Sequence, residues 1–413
     1  MNKNQLRLFP REGNHKKKAV DMALADKVTS TKDYVSSIWS FSGSSGAQLY
    51  RWYGTLPRPL VERLITMYAR SGSRILDPFM GTGTTLDVAA EIGLPAKGID
   101  NNPLSCLISE VRLDHTISGQ PILKAADMIA NKLGLPTWDR PKSENRQWED
   151  YVLDRRYQYT RKWFRKDSLN ALLALLFEIA ELDDERTQRL LFVAAAQTAR
   201  DVASVDSRCT HHLVTKKKDF INPVPLWMQE VNLGLEAVRK TQIDNSKISI
   251  TQGSILEYAL EKESADFALI HPPYLGMIHY NLIHRLATDL LDVVKRAKMP
   301  ASLNKYDFRY ERIRETDVST DNEKQYKFFI ERLAEIMQKV VSPNGCCAVI
   351  IGDQRYKGKL RHPFADFIHF FENNGFALEE NFIWILQNNA GMHVLRRGHF
   401  IDHNYIMVFR RIV

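Results

Sequence analysis

The sequence predicts an α/β fold: a mostly parallel sheet with helices on both faces, closed by an antiparallel hairpin and interrupted by a mainly helical insertion. Three observations predict it. From Arg74 onward short apolar runs alternate with helical stretches; the last two runs are separated only by a loop; and the gap between the second and third runs far exceeds a simple crossover. At 413 residues and 44% apolar content the chain can bury a substantial core, either as two or three lobes or as one domain with a large insertion.

Residues 1 to about 30 carry Lys16-Lys17-Lys18 with little periodicity and read as a solvated arm. The turn-rich Ser42-Gly43-Ser44-Ser45-Gly46 extends it, giving an N-terminal arm at 1–46. A helix follows over 59–69, where Leu60, Leu64, Ile65 and Tyr68 recur at helical spacing. Strands are expected at 74–76, 96–99, 248–251, 267–270, 346–351, 382–386 and 405–409. Gln387 to Asn404, rich in Asn, Gly, His and Arg, is the loop that makes the last two an antiparallel pair. The stretch from Pro103 to about Ser246 holds the insertion, with helices at 169–182 and 187–202 rich in Ala, Leu and Glu. These bounds give an α/β domain at 47–110 and 240–413 and an inserted lobe at 111–239.

Composition narrows the class. The net charge of +8, from 57 basic and 49 acidic residues, has the sign that suits a polyanion partner but is too mild a skew to decide. No long apolar run occurs, and Met1 to Val20 is polar and basic, which predicts a soluble cytoplasmic protein with no membrane span. The four cysteines form no CxxC pair, and Cys346-Cys347 falls in a strand, so no disulfide framework is expected. Cys209-Thr210-His211-His212 lacks a second ligand cluster, so no metal is expected.

Two short stretches carry the chemistry. The first, Asp77-Pro78-Phe79-Met80-Gly81-Thr82-Gly83-Thr84-Thr85, closes the first strand; its glycines let backbone approach a ligand while the following helix offers unpaired N–H groups. No Lys follows the second glycine, which argues against a triphosphate loop. Gly98-Ile99-Asp100 then places a carboxylate at the tip of the second strand, where it can accept both ribose hydroxyls of an adenosyl cofactor, NAD included. The second stretch, His271-Pro272-Pro273-Tyr274, closes the fourth strand.

On these residues the chain resembles the amino-methyltransferases of DNA, the N4-cytosine and N6-adenine group, over about residues 50 to 110 and 247 to 412. Seven strands ending in a hairpin match the class I methyltransferase (Rossmann-like) sheet that this family carries. The resemblance implies S-adenosylmethionine as cofactor, with Asp77, Phe79, Gly81 and Gly83 around its methionine moiety, Thr84 and Thr85 capping the nearby helix, and Asp100, followed by Asn101, at the ribose. Tyr53-Gly-Thr-Leu-Pro57-Arg-Pro59 is similar to the family segment that closes over the methionine end. Ser254 stands where many relatives have Asp beside the adenine, and still offers a hydroxyl.

An aromatic amine is a weak nucleophile because its lone pair is delocalised, so two aligned acceptors and a stacking surface are needed. The family supplies them from an [Asp/Asn/Ser]-Pro-Pro-Tyr tetrapeptide. By this resemblance His271 and the Pro272 carbonyl would accept the amine hydrogens, Pro273 would fix the turn, and Tyr274 would stack on the base. His271 departs from the family pattern. A neutral imidazole accepts one hydrogen bond and loses that capacity on protonation, so with an ordinary pKa of about 6.5 activity is expected to fall below neutral pH. Leu275 to Tyr280 resembles the continuation in N4-cytosine enzymes, which puts N4-cytosine first, N6-adenine second, then an RNA amine, then a non-catalytic nucleic-acid-binding scaffold.

The implied partner is DNA, with a cognate restriction endonuclease or phage-defence system as the expected setting, and the inserted lobe as the recognition element. Within it Arg155, Arg156, Arg161, Lys162, Arg165 and Lys166 interleave with Tyr157, Tyr159, Trp163 and Phe164. They read either as phosphate contacts with base-stacking rings or as a surface helix whose apolar stripe faces inward. A second patch runs through Lys216, Lys217 and Lys218, and a third through Arg309, Arg312 and Arg314.

Overall fold

A computed structural model describes residues 37–41, 48–134, 154–205, 219–238, 244–320, 322–386 and 403–412. The Lys16–Lys18 run, Gly43, Gly46, Cys209, His211, His212 and Lys216 to Lys218 lie outside the described residues, as does most of the Gln387–Asn404 loop.

The elements run β1 (Ser37–Ser40), α1 (Arg58–Tyr68), β2 (Ile75–Asp77), α2 (Thr84–Glu91), β3 (Ala96–Asp100) and α3 (Pro103–Leu113). The insertion supplies α4 (Gly119–Leu133), α5 (Gln158–Arg161), α6 (Lys166–Ala180), α7 (Glu185–Val202) and α8 (Pro223–Ala237). Then come β4 (Ile248–Gln252), β5 (Ala265–Ile270), α9 (Tyr280–Ile283), α10 (Arg285–Lys298), α11 (Tyr310–Glu315) and α12 (Glu323–Val340). The chain ends with β6 (Val341–Gly352), a small hairpin β7 (Gln354–Tyr356) and β8 (Lys359–Arg361), α13 (Pro363–Asn373), β9 (Phe376–Ile385) and β10 (His403–Arg411).

The main sheet has eight strands in the order β1-β9-β10-β6-β5-β2-β3-β4. β10 is antiparallel to β6 and β9, and the other pairs are parallel. All seven expected strands are present, and the order is that of the class I methyltransferase sheet. The addition is β1, read from sequence as part of the arm. It pairs in parallel with β9 from Ser37↔Phe382 to Ser40↔Ile385. Trp39 stacks on Phe382 at 4.3 Å with the Arg63 guanidinium 4.2 Å from its ring, so one aromatic side chain secures a strand too short to show periodicity.

Strict alternation shows why the strands read as continuous apolar runs. In β6, Cys346, Ala348 and Ile350 face one apolar layer and Cys347, Val349 and Ile351 the other. The second layer is closed by Phe329, Leu333 and Met337 of α12 and by Phe367 and Phe371 of α13. The first is closed by α1, α3 and α10 together with the insertion, whose Leu172 and Leu176 (α6) and Leu191 and Phe192 (α7) share that core with the sheet. The insertion therefore packs on the sheet layer and does not stand apart from it. Among the described residues no helix is long and apolar enough to cross a membrane.

Strand order reverses direction between β2 and β5. Beyond their carboxyl ends lies the crevice where open α/β sheets take ligands.

Candidate active site

The loop after β2 turns through Gly81 (φ +51°) and Gly83 (φ +78°), conformations that favour glycine. Its backbone is held from below. Asp100, at the tip of β3, accepts the Gly81 N–H at 2.9 Å on one oxygen and the Asn102 N–H at 2.9 Å on the other. The Ser105 and Ser109 hydroxyls donate to the Gly81 carbonyl. Asp77 accepts the Phe79 N–H at 3.0 Å, and the Thr85 side chain beside it favours its charged form. Burial pushes the Asp77 carboxyl up to about 7, against the lowering effect of those bonds, and the Asp100 carboxyl up to about 6.

These groups face a cleft of about 930 Å³ up to its open mouth. Of the expected cofactor residues, Tyr53, Asp77, Phe79, Gly81, Thr84, Thr85, Asp100, Asn101 and Ser254 line it. Pro57 and Gly83 do not, and each has a local reason. Pro57 is the N-cap of α1, and Gly83 is where α2 crosses α3, since a Cβ there would lie 2.8 Å from Ser109 Oγ. Gly83 serves helix packing.

The lining contains two carboxylates and, among the described residues, no Lys or Arg. Without a cation that wall does not suit a triphosphate, and its two carboxylates suit a ligand carrying a sulfonium and an ammonium. Phe79, Ile255, Val318 and Phe329 supply apolar wall for a flat base. S-adenosylmethionine, implied by the resemblance, fits: Asp100 and Asn101 would hold the ribose and Asp77 would face the methionine ammonium. Among the described residues no three His, Cys, Asp or Glu side chains converge as metal ligands.

The tetrapeptide after β5 is split by the fold. His271 and Pro273 line the cleft, whereas Pro272 and Tyr274 are not in its wall. Tyr274 is buried: its hydroxyl donates to Asn404 Oδ1 at 2.9 Å, accepts the Gly352 N–H at 3.1 Å and faces His271 Nε2 at 3.4 Å. The ring meets His271 edge-on, at 89°. It is thus the anchor of the loop, whereas Tyr280 lines the cleft. The Pro273 carbonyl is taken by the Tyr326 hydroxyl at 2.8 Å, itself hydrogen-bonded by Gln354. Among the described residues nothing hydrogen-bonds the Pro272 carbonyl.

Desolvation lowers the His271 pKa to about 4, with a hydrogen bond to the Gly54 backbone opposing it. With that shift the imidazole is neutral through the range where an ordinary histidine titrates, which moves the expected loss of its acceptor role to lower pH.

The basic segment is also divided. Tyr157 and Phe164 turn inward; the Tyr157 hydroxyl donates to Asp292 at 2.6 Å and Thr160 to Asp289. Arg156 pairs with Asp154 and Arg165 with Asp167, while Lys166 begins α6 in an exposed position. Arg155, Arg161 and Lys162 line a surface notch with Gln158, Tyr159 and Arg285. Arg285 lies between the rings of Tyr159 (4.3 Å) and Tyr310 (3.5 Å). In the third patch Arg309 pairs with Asp307, and Arg312 with Glu257. Arg285 escaped sequence reading because no basic run surrounds it. Trp52, Phe329 and Thr316 escaped because they reach the cleft from segments without a motif.

Residues 2–110 match the family model described as DNA methylase, the N6/N4 methyltransferases. The chain is 42% identical over 65 residues to the type II methyltransferase M.MjaII of Methanocaldococcus jannaschii, covering 16% of this chain and 12% of that one. It is 34% identical over 108 residues to the type II methyltransferase M.AvaI of a Nostoc species, covering 25% and 22%. The matches thus span less than a quarter of either relative's length. Among solved structures, an S-adenosylmethionine-dependent methyltransferase from Methanosarcina mazei overlaps 85% of this chain and 97% of its own at 9% identity and a TM-score of 0.32. The segment that carries the first motif is thus similar to the N6/N4 DNA methylases, over about a quarter of the chain.

Proposed function

We propose that the chain methylates DNA, transferring a methyl group from S-adenosylmethionine to the exocyclic N4 amine of cytosine. The observation that carries this reading is the composition of the cleft wall, two buried carboxylates without a cation, next to a rigidly held His-Pro-Pro-Tyr loop. When bound, the cofactor supplies the electrophilic methyl. The chain's own part is to hold the amine: His271, in the cleft wall, presents its neutral imidazole edge, and the adjacent Pro272 carbonyl, just behind that wall and unbonded among the described residues, would accept one N–H as the base enters and draw the nitrogen lone pair out of conjugation. Tyr280 offers the flat surface for the base. Pro273 and Tyr274 act through the loop's shape, since their carbonyl and hydroxyl are already bonded to Tyr326, Asn404 and Gly352.

A duplex hides this amine in base pairing, so the target base must leave the stack. Arg155, Arg161 and Lys162 in the surface notch are the best-placed cations for backbone phosphate, with Lys166 beside them, while Arg285 is held by Asp289. A paired endonuclease and a cytoplasmic, nucleoid-bound location belong to the same reading.

The experiment is mass spectrometry of nucleosides digested from unmethylated DNA after incubation with the protein and isotopically labelled cofactor. Labelled N4-methylcytosine is the expected product. N6-methyladenine would change the base alone, because both amines need the same acceptors. Label in RNA only, or in no nucleoside, would overturn the proposal.

A further inference from the structure

The wall of the cleft opposite the glycine loop is the segment Trp52 to Leu56, and the insertion grips it from behind. Three side chains on one turn of α7 converge on Arg51. Gln197 Oε1 accepts the Arg51 N–H at 3.0 Å, Arg200 Nη1 donates to the Arg51 carbonyl at 2.7 Å, and Asp201 pairs with the Arg51 guanidinium at 3.3 Å. Spacing of three and four residues puts all three on one helix face. Arg200 is 4% exposed, and its guanidinium lies 5.8 Å from the Tyr50 ring and 5.5 Å from the Tyr53 ring. From the other side His284 faces the Tyr50 hydroxyl at 3.3 Å and stacks on Trp52 at 3.9 Å and 8°. Trp52 in turn stands against Gly81: a Cβ on that glycine would lie 3.4 Å from the indole nitrogen.

We propose that Gln197, Arg200 and Asp201 are positioning residues for cofactor binding: they clamp the 50–56 strap so that Trp52 and Tyr53 stand ready against the glycine loop. The inference rests on the methyltransferase reading and extends it, because it makes the insertion part of the cofactor site and not only a surface for the nucleic acid. A buried guanidinium is costly to desolvate, and an apolar side chain of the same length would fill its volume at less cost. What an apolar side chain lacks is the directed bond to the Arg51 carbonyl and the cationic contact with both tyrosines. The clamp acts before the cofactor arrives. A strap in its competent position only one-tenth of the time weakens apparent affinity about tenfold without touching any ligand contact.

The test uses the full chain and two variants, Arg200→Met and the milder Gln197→Leu, which removes the acceptor for the Arg51 N–H and the 3.3 Å amide bond to Asp201. Hydrogen exchange of the 50–56 amides and the dissociation constant for S-adenosylmethionine are measured for each. The expected result is about tenfold weaker binding for Arg200→Met and about threefold for Gln197→Leu. Strap amides should exchange faster in both while those of α6 are unchanged, and Arg200→Lys should restore part of the affinity. If Arg200→Met does not fold, Gln197→Leu carries the same comparison. Affinity and strap exchange within twofold of the original in a folded variant would overturn the clamp. Absence of cofactor binding by the unaltered chain would overturn the methyltransferase reading instead; the exchange arm, which needs no cofactor, would still decide whether α7 holds the strap.

Discussion

The two ends of the cleft are built differently. At the glycine-loop end the residues that line the cleft are the ones that the motif singles out: Asp77, Phe79, Gly81 and Asp100 are all in the wall. Their supports are local too, since Asp100 binds the Gly81 and Asn102 amides within its own loop and the next. At the other end the motif's most conspicuous side chain, Tyr274, is withdrawn and tied to Asn404, a residue on β10 that is 130 positions away. A glycine loop works through its backbone, so its sequence and its function coincide. A catalytic tetrapeptide works through one or two exposed atoms, and the rest of the fold decides which atoms those are.

This contrast can be tested from its strongest consequence to its weakest. The cofactor end should respond steeply to pH. Asp77 and Asp100 have carboxyls raised to about 7 and about 6, so at pH 5 both are largely protonated in the empty cleft. A cationic ligand favours their ionised forms, so binding releases protons. Affinity should therefore rise as pH increases from 5 to about 7 and level off above, by about 100-fold if one group dominates. Calorimetric titration in buffers of different ionisation enthalpy would show the released proton; pH-independent affinity would remove the carboxylates from ligand contact.

Next in size is a change at Gly83. Its φ of +78° and the 2.8 Å approach to Ser109 Oγ predict that Gly83→Ala lowers unfolding stability by about 3 kcal/mol, through strain and overpacking together. Chemical denaturation measures it. An affinity lost at unchanged stability would instead make Gly83 a ligand contact. A smaller effect is expected at Tyr274→Phe, which leaves the Gly352 amide and the Asn404 carbonyl without their partner and costs about 1–2 kcal/mol of stability. Its kcat should fall with little change in KM for the cofactor, because the hydroxyl shapes the loop and reaches the cleft only through His271.

The smallest effect is the one predicted for His271. With its pKa lowered to about 4, kcat at saturating cofactor should be flat between pH 5 and 8 as far as His271 is concerned, and should decline only towards pH 4. A decline centred near pH 6.5 would mean that the imidazole is solvated in the working enzyme.

Much of the fold was legible because a sheet buried on both faces needs unbroken apolar strands, and β5 and β6 have them. β1 was not, since four residues, Ser37 to Ser40, carry too little pattern and are held by stacking of Trp39 on Phe382 across the sheet edge. The carboxylate of Asp100 was legible from its place at a strand tip. The inward turn of Tyr157 and Phe164 was not, because the acceptor Asp292 and the apolar layer that receive them lie on α10 and in the shared core. Basic-aromatic interleaving has the same pattern whether the rings face a base or the interior.

The sequence by itself determined the strands, the glycine turn, the paired carboxylates and the proline-locked loop, because each depends on a residue's own backbone preference or on its immediate neighbours. Only the tertiary structure decided which side chains line the cleft, how far burial moves the protons of Asp77, Asp100 and His271, and that one turn of α7 stands behind the 50–56 segment of its wall. Those properties arise from desolvation and from contacts between segments more than a hundred residues apart, and no local pattern encodes them.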